Sequence, residues 1–180
     1  MTLPEIAWKR CNELKAKLSP DFLCVMIAAQ KLNWFRSSAS SPRPPDYDLH
    51  CSFDCSTSKF GIGQQEGTNR TPLGLHRIKE KIGDGESPDT VFKGRVPVGT
   101  VGEVPDPMIT CRILWLDGLE AGFNRGGDVD THARYVYIHG TGDESRIGRP
   151  DSHGCVHLRA TDLVNLFDAV PSGTLVWIQE

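Results

Sequence analysis

The sequence lacks any run approaching the roughly 18 consecutive apolar residues that a membrane-crossing helix needs, so no membrane span is expected. It also lacks internal repeats and any basic stripe interleaved with aromatics, which argues against a nucleic-acid partner. An excess of one charge is missing too: net charge is −3 over 180 residues, too little for a polyanion binder, and 38% apolar content excludes a disordered chain. Cysteine is present but unpatterned. The six thiols, at 11, 24, 51, 55, 111 and 155, form no disulfide framework. Cys51 and Cys55 are the only close pair, and no second pair completes a zinc site. Cys24, inside an apolar run, reads as a small buried hydrophobe. The first fifteen residues mix both charges and lack an apolar signal core, so the cytosol is the expected compartment, or the periplasm if an export segment has been removed. Residues 22–29 are as long as a short signal core, but they follow a helical stretch and read as a core strand.

What is there suggests one domain over residues 1–180, with residues 1–20 as an appended helix. Eighteen glycines and twelve prolines imply many turns. Residues 3–18 predict an amphipathic helix: Leu3, Ala7, Cys11, Leu14 and Leu18 share a face, and Glu5–Lys9 and Glu13–Lys17 are i,i+4 pairs. Thr2 and Glu5 form a capping box, and Ser19-Pro20 ends the helix. Strands are expected at 22–28 and 31–36, joined by a tight turn. A polar, proline-rich loop from Ser37 to Asp46 is too short to divide domains. Further strand patterns occupy 48–57, 74–82, 91–98, 109–116 and 133–138. Leu163, Leu166, Phe167 and Val170 have helical spacing, Pro171 stops them, and residues 174–178 close the chain as a strand. Many strands with two flanking helices make a β-rich α+β fold, a sandwich or barrel with an N-terminal helix and a short C-terminal one.

The chemistry concentrates in Tyr137-Ile-His-Gly-Thr-Gly-Asp-Glu-Ser-Arg-Ile-Gly-Arg-Pro-Asp-Ser-His-Gly-Cys-Val-His-Leu-Arg159. His139 ends an apolar strand pattern, and Cys155 lies 16 residues later, just before a helical one. A thiol becomes a strong nucleophile when a neighbouring base or positive potential favours its thiolate. The bland readings are a buried structural thiol and a satisfied core histidine. They fit poorly, because Cys155 stands beside Gly154 and between two histidines. With no Cβ, Gly154 lets the backbone expose its neighbour, and the amides of 153–155 could then form an oxyanion hole. His153 adjoins the thiol for substrate binding or electrostatic support, and Ser152 reads as a hydrogen-bonder within the loop. His157 and Arg159 flank Leu158 and share a face, where either could meet a substrate carboxylate; a solvated Arg159 is the equal alternative. Tyr137, two residues before His139, is expected on the same strand face. His50, His76 and His132 read as ordinary histidines. His139, His153, Cys155 and His157 are also an N/S set that zinc accepts. However, 153, 155 and 157 alternate too closely to wrap one ion and no acidic partner supports them, so no metal or other cofactor is expected.

A His followed by Ser-His-Gly-Cys resembles the signature of the L,D-transpeptidase (YkuD-domain) family. Other pieces match in order: Ser56-Thr-Ser58 with Gly61 and Gly63, Thr71-Pro-Leu-Gly74, and Gly173-Thr-Leu-Val-Trp-Ile178. The resemblance covers roughly residues 22–179 and implies the same β-rich fold. It makes Cys155 the nucleophile toward a peptidoglycan stem tetrapeptide or muropeptide and His139 the general base. The backbone carbonyl of Gly140 would then orient that histidine, and Thr71–Gly74 would be a turn bordering the groove. Water as acceptor gives an L,D-carboxypeptidase of wall recycling; a second stem's amine gives an exported cross-linking transpeptidase. A non-catalytic peptidoglycan-binding module would have no need of the His–Gly–Cys chemistry. One position departs from the family: His157 stands where Asn or Arg is usual.

Overall fold

The computed structural model describes residues 2–37 and 46–180, so positions 38–45 of the expected Ser37–Asp46 loop lie outside the described residues. Among the described residues, ten strands and two α-helices follow one another. Helix α1 (Glu5–Glu13) comes first, then strands β1 (Asp21–Met26), β2 (Lys31–Ser37), β3 (Tyr47–Asp54) and β4 (Gly74–Ile82). Next are β5 (Thr90–Lys93), β6 (Val96–Thr100), β7 (Thr110–Gly118), β8 (Tyr137–Gly140) and β9 (Val156–Leu158). Helix α2 (Ala160–Ala169) and β10 (Leu175–Gln179) complete the chain. One mixed sheet runs β3-β2-β1-β10-β4-β7-β5-β6, and β8 joins β7 and β9 off this path. Pairing is antiparallel except for β1 with β10 and β8 with β9.

A helix covers each face, and the strands' period of two decides what goes where. Leu23, Val25, Val176 and Ile178 point to the face packed by Leu163, Leu166 and Phe167 of α2. Phe22, Cys24, Leu175 and Trp177 point the other way, onto Leu3, Ala7 and Cys11. β1, β7 and β10 are therefore buried on both faces, which is why they read as continuous apolar runs.

The β-rich α+β expectation holds, and several boundaries move. The first helix is shorter than 3–18. Pro4 occupies its N-cap with no side-chain cap bond, and Thr2 instead makes a β-bridge to Asp48, so the capping box does not form. The helix ends when Lys15 turns left-handed (φ 50) and the Ala16 amide reaches back to the Cys11 carbonyl at 2.9 Å. Of the expected apolar face, Ala7 and Cys11 in the helix and Leu3 ahead of it are buried, whereas Leu14, just past its end, is exposed. The strand expected at 91–98 is a hairpin, because Gly94 and Arg95 both take positive φ (56 and 70) and make a tight turn. The strand expected at 133–138 begins only at Tyr137, since the Arg134 and Tyr135 amides bond back to Asp130 and His132. Cys155 precedes the short strand β9, with α2 starting five residues later, so it does not sit at a helix start.

Thr71-Pro-Leu-Gly74 leads into β4 at a crowded place. Gly74 has φ +98, and a Cβ there would meet the Glu120 carboxylate, the Asn124 amide nitrogen (2.9 Å) and the Phe123 ring (3.0 Å). Glu120 cannot withdraw, because its Oε1 accepts the Leu75 amide at 2.7 Å and its Oε2 pairs with Arg10 Nε of α1 at 3.1 Å. Gly74→Ala is therefore expected to cost about 3 kcal/mol, from left-handed strain plus displacement of a buried carboxylate. Urea unfolding measures this, and a loss under about 1 kcal/mol would show that the turn relaxes freely.

Candidate active site

The site is built by three strands side by side. β8 pairs with the fully buried β7 on one side and with β9 on the other, in a register that sets His139 opposite His157 and Ile138 opposite Val156. Alternation sends Ile138, Val156 and Leu158 into the core under α2. It turns His139 and His157 to the other face, where their ring centroids lie 4.6 Å apart. Cys155, just before β9, comes level with Tyr137: its Sγ accepts the Tyr137 amide at 3.4 Å and donates to the Tyr135 carbonyl at 3.6 Å. His139, His153, Cys155 and His157 line one cleft of about 390 Å³, which Lys59, Asp106 and Met108 also border.

The loop bearing the thiol is held by the motifs that precede it in sequence. Ser56 exchanges backbone bonds with His157 (3.0 and 2.8 Å), and its hydroxyl donates to the Arg149 carbonyl. The Thr57 carbonyl accepts the Asp151 and Ser152 amides, both at 2.9 Å. Thr71 Oγ1 accepts the Ser58 amide at 3.0 Å and donates to the Gly154 carbonyl at 3.1 Å. Ser152, fully buried, donates to the Cys155 carbonyl at 2.6 Å and accepts the Gly154 amide at 3.2 Å, so it braces the loop as expected. Gly154 has φ +120, and a Cβ there would press on the Arg70 carbonyl at 3.3 Å. Glycine is required at that position both for its conformation and for its space.

His139 is 3% exposed, and its Nδ1 lies 2.7 Å from the Gly140 carbonyl oxygen. A carbonyl only accepts, so Nδ1 carries the proton and Nε2 keeps the lone pair. Burial pushes the His139 pKa down to about 3, and the neighbouring His157 adds to the fall. Burial likewise lowers His157 to about 4 and raises the Cys155 thiol to about 11, the latter against the pull of the Tyr137 amide and the Arg134 cation. These shifts favour a neutral thiol and a neutral imidazole in the one cleft.

Several expected residues fall elsewhere. Arg159 lies outside the cleft: it pairs with Asp54 at 3.3 Å and Asp162 at 4.0 Å, so it does not share a working face with His157. Tyr137 is on the His139 face, its ring 6.2 Å from that imidazole, but it backs the cleft against Trp115 and its hydroxyl accepts from Arg95 at 3.2 Å. Of the amides at 153–155, that of Gly154 is occupied by Ser152 Oγ. Arg134 went unnoticed in the sequence because the strand pattern absorbed it. Its guanidinium donates to the Gln64 (2.6 Å) and Arg70 (2.7 Å) carbonyls, stitching the 63–70 loop to the thiol's surroundings. It is also the one cation that favours the Cys155 thiolate.

The β-rich mixed sheet with its two helices matches L,D-transpeptidase folds. Residues 20–178 match the L,D-transpeptidase catalytic domain (YkuD), and the chain belongs to that family. Among curated proteins, YqjB of Bacillus subtilis, which bears an L,D-transpeptidase name, is 37% identical over 59 residues, 33% of this chain and 32% of that one. Similar solved structures include an L,D-transpeptidase from Mycobacterium smegmatis (TM-score 0.54, 16% identity, covering 89% of this chain and 59% of that chain). L,D-transpeptidase 3 of Mycobacterium tuberculosis with a faropenem-derived adduct gives a TM-score of 0.52 at 16% identity, over 89% and 60%. Bdellovibrio bacteriovorus Bd1075 gives 0.57 at 15% identity, over 91% and 48%. The chain thus spans about a third to three-fifths of the lengths of these relatives. Among the described residues, no helix is long and apolar enough to cross a membrane.

The resting charge state can be read directly. With the thiol at about 11, its thiolate fraction grows about tenfold per pH unit across neutrality. Iodoacetamide labelling of Cys155 should therefore rise steadily from pH 6 to 9. A plateau over that range would instead reveal a standing thiolate–imidazolium pair.

Proposed function

We propose that this domain transfers acyl groups through Cys155, acting on peptidoglycan stem tetrapeptides or muropeptides that end in D-Ala. The observation that carries the reading is the His139 Nδ1–Gly140 carbonyl bond of 2.7 Å in the same cleft as the Cys155 thiol. It leaves Nε2 as a base for the chemistry that a thiol nucleophile needs. In the first step Sγ attacks the carbonyl of the stem's third residue while its proton passes to His139 Nε2. Because both groups rest neutral, proton transfer accompanies attack rather than preceding it. The C–N bond to D-Ala then breaks, His139 returns the proton to the leaving amine, and a thioester remains. Amides near His153 and Cys155 would hold the oxyanion.

The second step needs an acceptor. Water, in molar excess, takes the thioester unless an amine is bound and oriented. Attack by water gives tripeptide and the free thiol, an L,D-carboxypeptidase reaction on soluble wall fragments. Attack by the amine of a second stem would give a 3–3 cross-link.

Incubation with disaccharide tetrapeptide, followed by chromatography and mass spectrometry, is expected to show tripeptide plus D-Ala with little dimer. Dominant cross-linked dimer would replace hydrolysis by transpeptidation. Cys155→Ala should lower turnover by several orders of magnitude, and near-normal turnover in that variant would contradict the proposal. His157→Asn, which keeps a polar group and removes the second imidazole, should have a mild effect.

A further inference from the structure

A second cavity, of about 500 Å³, lies apart from the cleft that holds Cys155. It opens where the tail of α1 meets the sheet, and it shares no residue with the first. Lys15 and Lys17 of the tail, Arg77 of β4 and Arg125 of the loop after β7 line it, together with Leu18 and Leu175. No Asp or Glu lines it. Arg77 is already paired, donating to Asp117 at 3.0 and 2.7 Å. For Lys15, Lys17 and Arg125 the described residues provide no ion-pair partner. Three exposed cations without an ion-pair partner among the described residues therefore border one hollow in a chain whose net charge is −3.

The backbone fixes the positions of two of them. Lys15 takes the left-handed position that closes α1, a place where glycine or asparagine would be unstrained. The Arg125 amide is bonded to the Glu120 carbonyl at 3.1 Å, and Glu120 is in turn pinned by Leu75 and Arg10. Gly173, on the third side, donates to the Ile78 carbonyl at 2.7 Å. The C-terminal end of α1 attracts cations and would account for Lys15. It does not account for Arg125, which comes from another element.

We infer that this cavity binds a phosphoryl group carried on an organic body. A single carboxylate would offset one of three charges, whereas a phosphoryl ligand brings two or more and suits the forked donors of arginine. The leucine wall takes the ligand's apolar part. A bound anion would also tie the α1 tail to the sheet, which shields the backbone at Lys15 and Lys17. The site stands independently of the Cys155 chemistry.

Pyrophosphate and vesicles containing phosphatidylglycerol separate a soluble ligand from a lipid headgroup. Calorimetry on the wild-type chain at low salt should show 1:1 binding of pyrophosphate and slowed tryptic cleavage after Lys15 and Lys17. In Lys17→Ala/Arg125→Ala and in Lys17→Glu the affinity should fall at least about tenfold. Both are exposed positions, so the melting temperature without ligand and the release of D-Ala should not move. Binding of vesicles but not pyrophosphate, with the same dependence on Lys17 and Arg125, would support the same phosphoryl chemistry presented by a lipid. If neither probe binds, or the variants bind as the wild type does, the inference is overturned.

Discussion

The parallel pairing of β8 with β9 is the constraint on which the site depends. It is a ladder of three residues on each side, too short to stand alone. It persists because β8 is also paired to β7, buried along its whole length, and because Ile138, Val156 and Leu158 are anchored under α2. Once that register is set, period-two alternation leaves no freedom. The apolar members go inward, and His139, His157 and the thiol just ahead of β9 come out on the other side. A slip by one residue would bury the imidazoles' face and turn the valine and leucine to the cleft.

The same burial that builds the site also sets its charge. Desolvation outweighs the Tyr137 amide and the Arg134 cation, which favours the protonated thiol, and it likewise favours the neutral imidazole. A low-dielectric cleft strengthens every hydrogen bond in it, including the one that fixes the His139 tautomer. In the proposed mechanism this pair is ordered but not ionised before the acyl carbon arrives. His157 contributes to this by packing a second ring on His139.

Much of this was legible in the residues. The apolar face of the first helix, the closing strand, the 74–82 strand and the helix around Leu163–Phe167 followed from periodicity alone. The pairing of His139 with the Gly140 carbonyl followed from the family resemblance. What was hidden depended on contacts distant in sequence. β9 is a three-residue strand that exists only because β8 receives it, and local pattern could not distinguish it from a helix entry. Arg159 and His157 are spaced as neighbours on a face, yet Asp54 draws the arginine away. Arg134 looked like part of a strand, whereas it turns to clamp the carbonyls of a loop some seventy residues earlier. The serine and threonine motifs at 56–58 and 71 were visible as motifs, but their work in holding the Cys155 loop became clear only from the bonds they make.

In the proposed reaction Cys155 Sγ is the atom that carries the acyl group. Intact-mass spectrometry after brief exposure to a carbapenem tests it most directly, because a strained lactam carbonyl reports the same thioester-forming attack as substrate. One adduct per chain, mapped to Cys155 and absent from Cys155→Ala, is the predicted result. An adduct mapped to Cys51, the other thiol that is not buried, or one that survives Cys155→Ala, would contradict it.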